Sequence, residues 1–80
     1  MKNENTYFQS SDLSLVTTIS LFHPIDSIDR SNPQRIVFIF KRERSLDDLI
    51  KAYWNEQLTV KPQKFFSQLS LIKTRIYSGI

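Results

Sequence analysis

The residues able to do chemistry are few, and most of them are cations. The 80-residue chain holds one histidine, no cysteine and one glycine. His23 stands directly before Pro24, where an element must end, because a residue followed by proline is pushed out of the helical region. No second imidazole or thiolate exists to complete a zinc site, and no Cys/His or Ser/His/Asp constellation can be assembled around it. Asp26 and Asp29, three apart on one strand, fall on opposite faces and make a poor acid/base pair. Asp47 and Asp48 sit at a helix start, where the helix dipole already favours anions. A lone glycine near the C-terminus gives no phosphate-cradling loop. The expectation is a non-enzyme with no cofactor and no metal.

The cations are distributed in blocks beneath a net charge of +3. Residues 1–29 carry one cation and four anions, and residues 30–44 five cations and one anion. Residues 45–56 carry one cation and three anions, whereas 57–80 carry four cations and no anion. Arg30, Arg35, Lys41, Arg42 and Arg44 therefore flank one segment, and Lys61, Lys64 and Arg75 line another. If the two blocks meet they form a patch that favours polyanions. If they do not, they are a solubilising surface.

These side chains must be positioned by a small domain. At 40% hydrophobic and 24% charged, the composition is that of a globular chain, and 80 residues make a single domain, 1–80, near the lower size limit for one core. Residues 1–6 read as a flexible lead-in. The lack of cysteine and of any run near the ~20 apolar residues that span a bilayer points to a cytoplasmic protein without membrane contact.

The central element is Arg35–Lys41, five apolar β-branched or aromatic residues closed by a cation at each end. Ile36, Phe38 and Phe40 point to one side and Val37 and Ile39 to the other, so both sides are expected to need a cover. Ile25–Arg30, the turn Ser31–Gln34 and this strand make a hairpin. Leu13–Phe22 alternates like a strand, yet Leu15, Val16, Ile19 and Phe22 equally make a helical face; the cap-like Ser10-Ser11-Asp12 decides for helix. Ser45, with Asp48 three residues on, resembles a capping box. It would open a helix to about Asn55, with Leu46, Leu49, Ile50 and Tyr53 inward and Trp54 on the flank. Leu58–Val60 reads as a short third strand or a packed loop. Pro62 opens the last helix. Phe65, Leu69, Ile72 and Ile76 form its inner stripe, and Lys61, Lys64, Gln68, Leu71 and Arg75 its outer side. The predicted class is α+β: a small antiparallel sheet packed by about three helices.

Several short motifs carry a resemblance. They are Ser10-Ser11-Asp12-Leu13, Ile28-Asp29-Arg30, Val37-Phe38-Ile39-Phe40, Tyr53-Trp54-Asn55, Leu58-Thr59-Val60, Phe65-Phe66 and Lys73-Thr74-Arg75-Ile76-Tyr77. Over roughly residues 7–77 the chain resembles a family of small bacterial domains catalogued only as a domain of unknown function. The resemblance implies a helical Leu13–Phe22, although this chain has Ser, Thr and Val there and no glycine before the hairpin. The family has no known activity, so no functional residue carries over.

Two expectations follow. One is a polyanion-binding domain, with nucleic acid as partner, using Arg30, Arg35, Lys41, Arg42, Arg44, Lys61, Lys64 and Arg75. The other is a protein-interaction module or homodimer using Trp54, Leu71 and Tyr77, which fall outside the inward-facing stripes.

Overall fold

The strand Val37–Lys41 lies in the middle of a three-stranded antiparallel sheet. The structure is a computed structural model that describes residues 6–78. In chain order the elements are β1 (Tyr7–Ser10), α1 (Leu13–Ser20), β2 (Ser27–Asp29), β3 (Val37–Lys41), α2 (Arg44–Trp54) and α3 (Pro62–Ser78). The sheet order is β1-β3-β2. The class is α+β, as the sequence predicts, and the hairpin is present with shorter strands than Ile25–Arg30 and Arg35–Lys41.

The third strand is β1, not Leu58–Val60. A central strand has two sides, and β3 fills them with β1 and β2; the Leu58–Val60 stretch joins neither edge of the sheet. Phe8 stands opposite Phe40 and Ser10 opposite Phe38. That register hands the hydrophobic side of β1 to the core.

Phe38 and Phe40 are buried with Leu15, Val16 and Ile19 of α1, Leu46 of α2 and Ile72 of α3. Each such side chain contributes about 1.5–3 kcal/mol when removed from water. The expectation of a cover on both faces is corrected here. All three helices supply this one side, and among the described residues none covers Val37 and Ile39, which are half-buried. Cross-strand neighbours shade them instead: Gln9 and Ser27 flank Ile39, and Asp29 lies beside Val37. The shortest dimension of the molecule, 17 Å, is that of one helix layer on one sheet.

Helix α1 is capped by Asp12, whose carboxylate accepts the Leu15 N–H at 3.1 Å. Of the cap-like Ser10-Ser11-Asp12, Asp12 is thus the cap itself. Ser10 Oγ accepts the Asp12 N–H, and Ser11 Oγ donates to the Ile36 carbonyl, tying the helix start to β3. The helix lies between the other two. Tyr53 of α2 donates its hydroxyl to Ser14, and Gln68 of α3 donates its side-chain N–H to Ser20, both at 2.9 Å.

Helix α2 begins one residue before the expected cap. Glu43 occupies the N-cap without a side-chain bond, so Ser45 lies inside the first turn and the capping box does not form. Asp47 takes the Arg42 guanidinium at 2.9 Å instead. The helix closes with Gln57 N–H on the Ala52 carbonyl and Glu56 N–H on that of Tyr53, a Schellman arrangement in which Glu56 takes φ 58°. From there the chain passes to Lys61, bringing Thr59 and Val60 against Leu21 and Phe22. Pro62 then opens α3 as predicted.

Candidate nucleic-acid interface

Helix α3 is built with two unlike faces. Ile72 is fully buried, with Phe65, Leu69 and Ile76 half-buried around it. Away from that stripe, Gln63, Ser67, Ser70 and Thr74 recur at intervals of four, three and four residues, so they align along the exposed side. Lys64 and Lys73 are both exposed. Nine residues at 100° place them half a turn apart, one on each border of the polar stripe and ~14 Å apart along the axis. No Asp or Glu occurs after Glu56. The outer surface of α3 is therefore amide, hydroxyl and ammonium, interrupted by exposed Leu71 on the Lys64 side and by exposed Phe66 and Tyr77 on the Lys73 side. Thr74 and Ser78 donate their hydroxyl hydrogens to the carbonyls one turn back, Ser70 and Thr74, leaving oxygen lone pairs outward.

The other cations divide between the two ends of β3. Arg30 and Arg75 are brought together, since an Arg30 N–H donates to the Arg75 carbonyl at 2.8 Å. Both side chains are half-buried, and the bond fastens the end of β2 to the last turns of α3. Arg35 is exposed nearby, on the border of a hollow that also takes in Ile76 and Tyr77. The hairpin block and the helix block thus meet at the C-terminal end of α3. Lys41, Arg42 and Arg44 lie at the far end of the strand, ~20 Å from Arg35 at 3.3 Å per residue. There Arg42 is engaged by Asp47, and Lys41 borders a hollow with His23, Pro24 and Glu43. Lys61 and Lys64 stand beside Leu21 and Phe22, the residues that lead into His23. The eight cations do not form one continuous patch.

Trp54, Leu71 and Tyr77 are 61%, 59% and 82% exposed. They are on the surface but apart: Trp54 beside β1, Leu71 on the outer side of α3, Tyr77 near the hairpin turn. Phe22, expected on the helical face with Leu15, Val16 and Ile19, lies beyond the end of α1 and is exposed, and exposed Phe66 and Lys73 were not among the predicted site residues. Eleven residues separate Phe66 from Tyr77, which puts them on one line of α3; that spacing is readable in the sequence.

Among carboxylates, Asp29 is distinctive. The Ser31 N–H at 2.9 Å, reinforced by the Ser31 hydroxyl, holds its carboxyl below the ordinary aspartate value. Asp26, by contrast, gives its backbone N–H to the Ile39 carbonyl, an anchor for the hairpin. Among the described residues no three of the types His, Cys, Asp and Glu come together as a metal site would need, and no helix is long and apolar enough to cross a membrane.

An antiparallel three-stranded sheet under three helices, one of them with an acid-free outer face, defines a small α+β domain. Residues 5–78 match the family described as Domain of unknown function (DUF5659), and the chain belongs to that family. No curated protein and no solved structure matches the chain.

Proposed function

We propose that this chain is a small, non-enzymatic cytoplasmic binding domain that lays the outer face of α3 against duplex nucleic acid. The observation that carries the reading is the composition of that face. It offers Gln63, Ser67, Ser70 and Thr74 along its middle, Leu71, Phe66 and Tyr77 beside them, a lysine on each border, and no anion to repel phosphate. A major groove about 12 Å wide admits one helix, with amides and hydroxyls reaching base edges. Cations at the borders meet the backbones on either side. Arg35 extends the positive surface at the C-terminal end, whereas Arg30 and Arg42 have structural partners and are expected to contribute less.

The test is a salt titration of binding to generic duplex DNA by fluorescence anisotropy. Each neutralised phosphate contributes a slope of about −0.9 in log K against log salt, so Lys64, Lys73 and Arg35 together predict about −3. Lys64→Ala and Lys73→Ala should each reduce the slope by about 1 and weaken binding to all sequences alike. Absence of binding at low salt, or slopes unchanged in both variants, refutes the assignment.

A further inference from the structure

The two edges of the sheet are not equally protected. On one side, β2 has three residues, includes Asp29, and is preceded by Pro24 and Asp26; charge, proline and brevity are the features that keep edges from pairing. On the other, β1 reads Tyr-Phe-Gln-Ser, with no charge, proline or glycine. The ladder's phase follows from the Arg42 N–H, which bonds the Thr6 carbonyl at 2.9 Å. With the register Phe8 to Phe40 and Ser10 to Phe38, residues 6, 8 and 10 turn their backbone groups toward β3. Tyr7 and Gln9 therefore present N–H and C=O to an edge that no strand of the described residues pairs with.

Beneath that edge, on the helix side, runs a groove of about 480 Å³ lined by Phe8 of β1, by Ile50, Lys51 and Trp54 of α2, and by the Arg42–Asp47 pair. Trp54 is exposed yet held in place. Its ring stands edge-on to Tyr53 at 5.0 Å, and the Tyr53 hydroxyl is anchored on Ser14.

We propose that this edge and groove are the interface of a homodimer, formed by antiparallel pairing of β1 with β1 of a second copy about a two-fold axis at Phe8. The occupant is a second copy because the surface complements itself in two ways. With Phe8 on the axis, Tyr7 of each copy faces Gln9 of the other, and these are the residues whose backbone groups point outward, so both ends of the ladder close together. The two Phe8 side chains then form a non-hydrogen-bonded pair, the closely spaced kind, on the helix side. The α2 helices run antiparallel across the same axis, so the groove wall that carries Asp47 and Lys51 one turn apart brings each anion toward the other copy's cation. The result is a six-stranded sheet with all helices on one side. Both α3 faces stay free, so the dimer and nucleic-acid binding stand or fall separately.

The chain contains no cysteine, which makes crosslinking decisive. Phe8→Cys places two thiols across the axis at a separation a disulfide accepts. Mild oxidation should convert it to covalent dimer, while a Ser45→Cys control on exposed α2 stays monomeric. In parallel, the unmodified protein should sediment as a dimer at about 100 μM, where an association of micromolar Kd is saturated. Gln9→Pro removes an outward N–H without touching the β3 ladder, and should sediment as a monomer with its circular dichroism unchanged. A monomeric unmodified protein, a Gln9→Pro variant that remains dimeric, or Phe8→Cys crosslinking no faster than the control would each overturn the proposal.

Discussion

Helices α1 and α3 are assembled from opposite materials. The eight residues of α1 carry no charge, and five in succession, Leu15 to Ile19, are buried. Of the seventeen residues of α3 only Ile72 is fully buried, and one whole side faces water. By intrinsic preference α1 should not be a helix: Val16, Thr17, Thr18 and Ile19 are β-branched, and together they cost ~2 kcal/mol relative to good helix formers. Burial of Leu15, Val16 and Ile19 contributes ~5–9 kcal/mol in the other direction, as an upper bound. Packing wins, and α1 exists because the sheet, α2 and α3 enclose it. Helix α3 has a single line of core contacts and can commit its outer surface to something else.

The largest effect that would test this contrast is a truncation within α1. Ile19→Ala is expected to lose about 3 kcal/mol, the usual cost of a cavity in a filled core. That is a large share of what a domain of this size has in total, roughly 4–12 kcal/mol. Urea denaturation would read it as a lower midpoint with unchanged slope. A loss below about 1 kcal/mol would mean that α1 is not the enclosed member of the pair.

A smaller effect separates two neighbours on α1. Thr18 donates its hydroxyl to the Ser14 carbonyl at 2.9 Å, whereas the Thr17 hydroxyl is fully buried with no hydrogen-bond partner among the described residues. Thr17 lies on the side of α1 turned away from Leu15, Val16 and Ile19, and it too is fully buried. An unpaired buried hydroxyl costs about 1–3 kcal/mol, so Thr17→Val should stabilise the fold by about 1 kcal/mol after steric losses. Thr18→Val removes a made bond and should be neutral or destabilising. Thermal melts of the pair decide it; the same sign for both would show that the Thr17 hydroxyl finds a partner in solution.

The same contrast explains what was legible in the sequence. A one-sided helix writes its period openly: Phe65, Leu69, Ile72 and Ile76 were readable, and so was the start at Pro62. A helix enclosed all round has no polar face to set a period, so Leu13–Phe22 fits a strand pattern as well, and only the Asp12 region tips the balance. The strand β1 was not legible because four residues carry almost no pattern; its side-chain placement comes from the register with β3. Leu58–Val60 is as strand-like in composition and has no partner. The Ser45/Asp48 capping box lost to a start at Arg44 and to the Arg42–Asp47 pair, neither of which follows from the motif's spacing. For the candidate site, the acid-free α3 was visible in the charge blocks. The splitting of Arg35 from Arg42 was not, because an extended strand turns a short sequence interval into ~20 Å.

The smallest expected effect lies on the outer side of α3. Leu71 is as hydrophobic as any residue of α1, but it is 59% exposed and its neighbours three and four residues away are Ser67, Gln68, Thr74 and Arg75. Leucine and glutamine have nearly equal helix preference, so Leu71→Gln should change stability by no more than about 0.5 kcal/mol. The same substitution keeps the charge of the face, so the salt slope of duplex binding should stay as it was. A stability loss above about 1 kcal/mol would show that Leu71 is covered in solution. In that case α3 is enclosed as α1 is, and its lysines border a protein contact instead of a groove in nucleic acid.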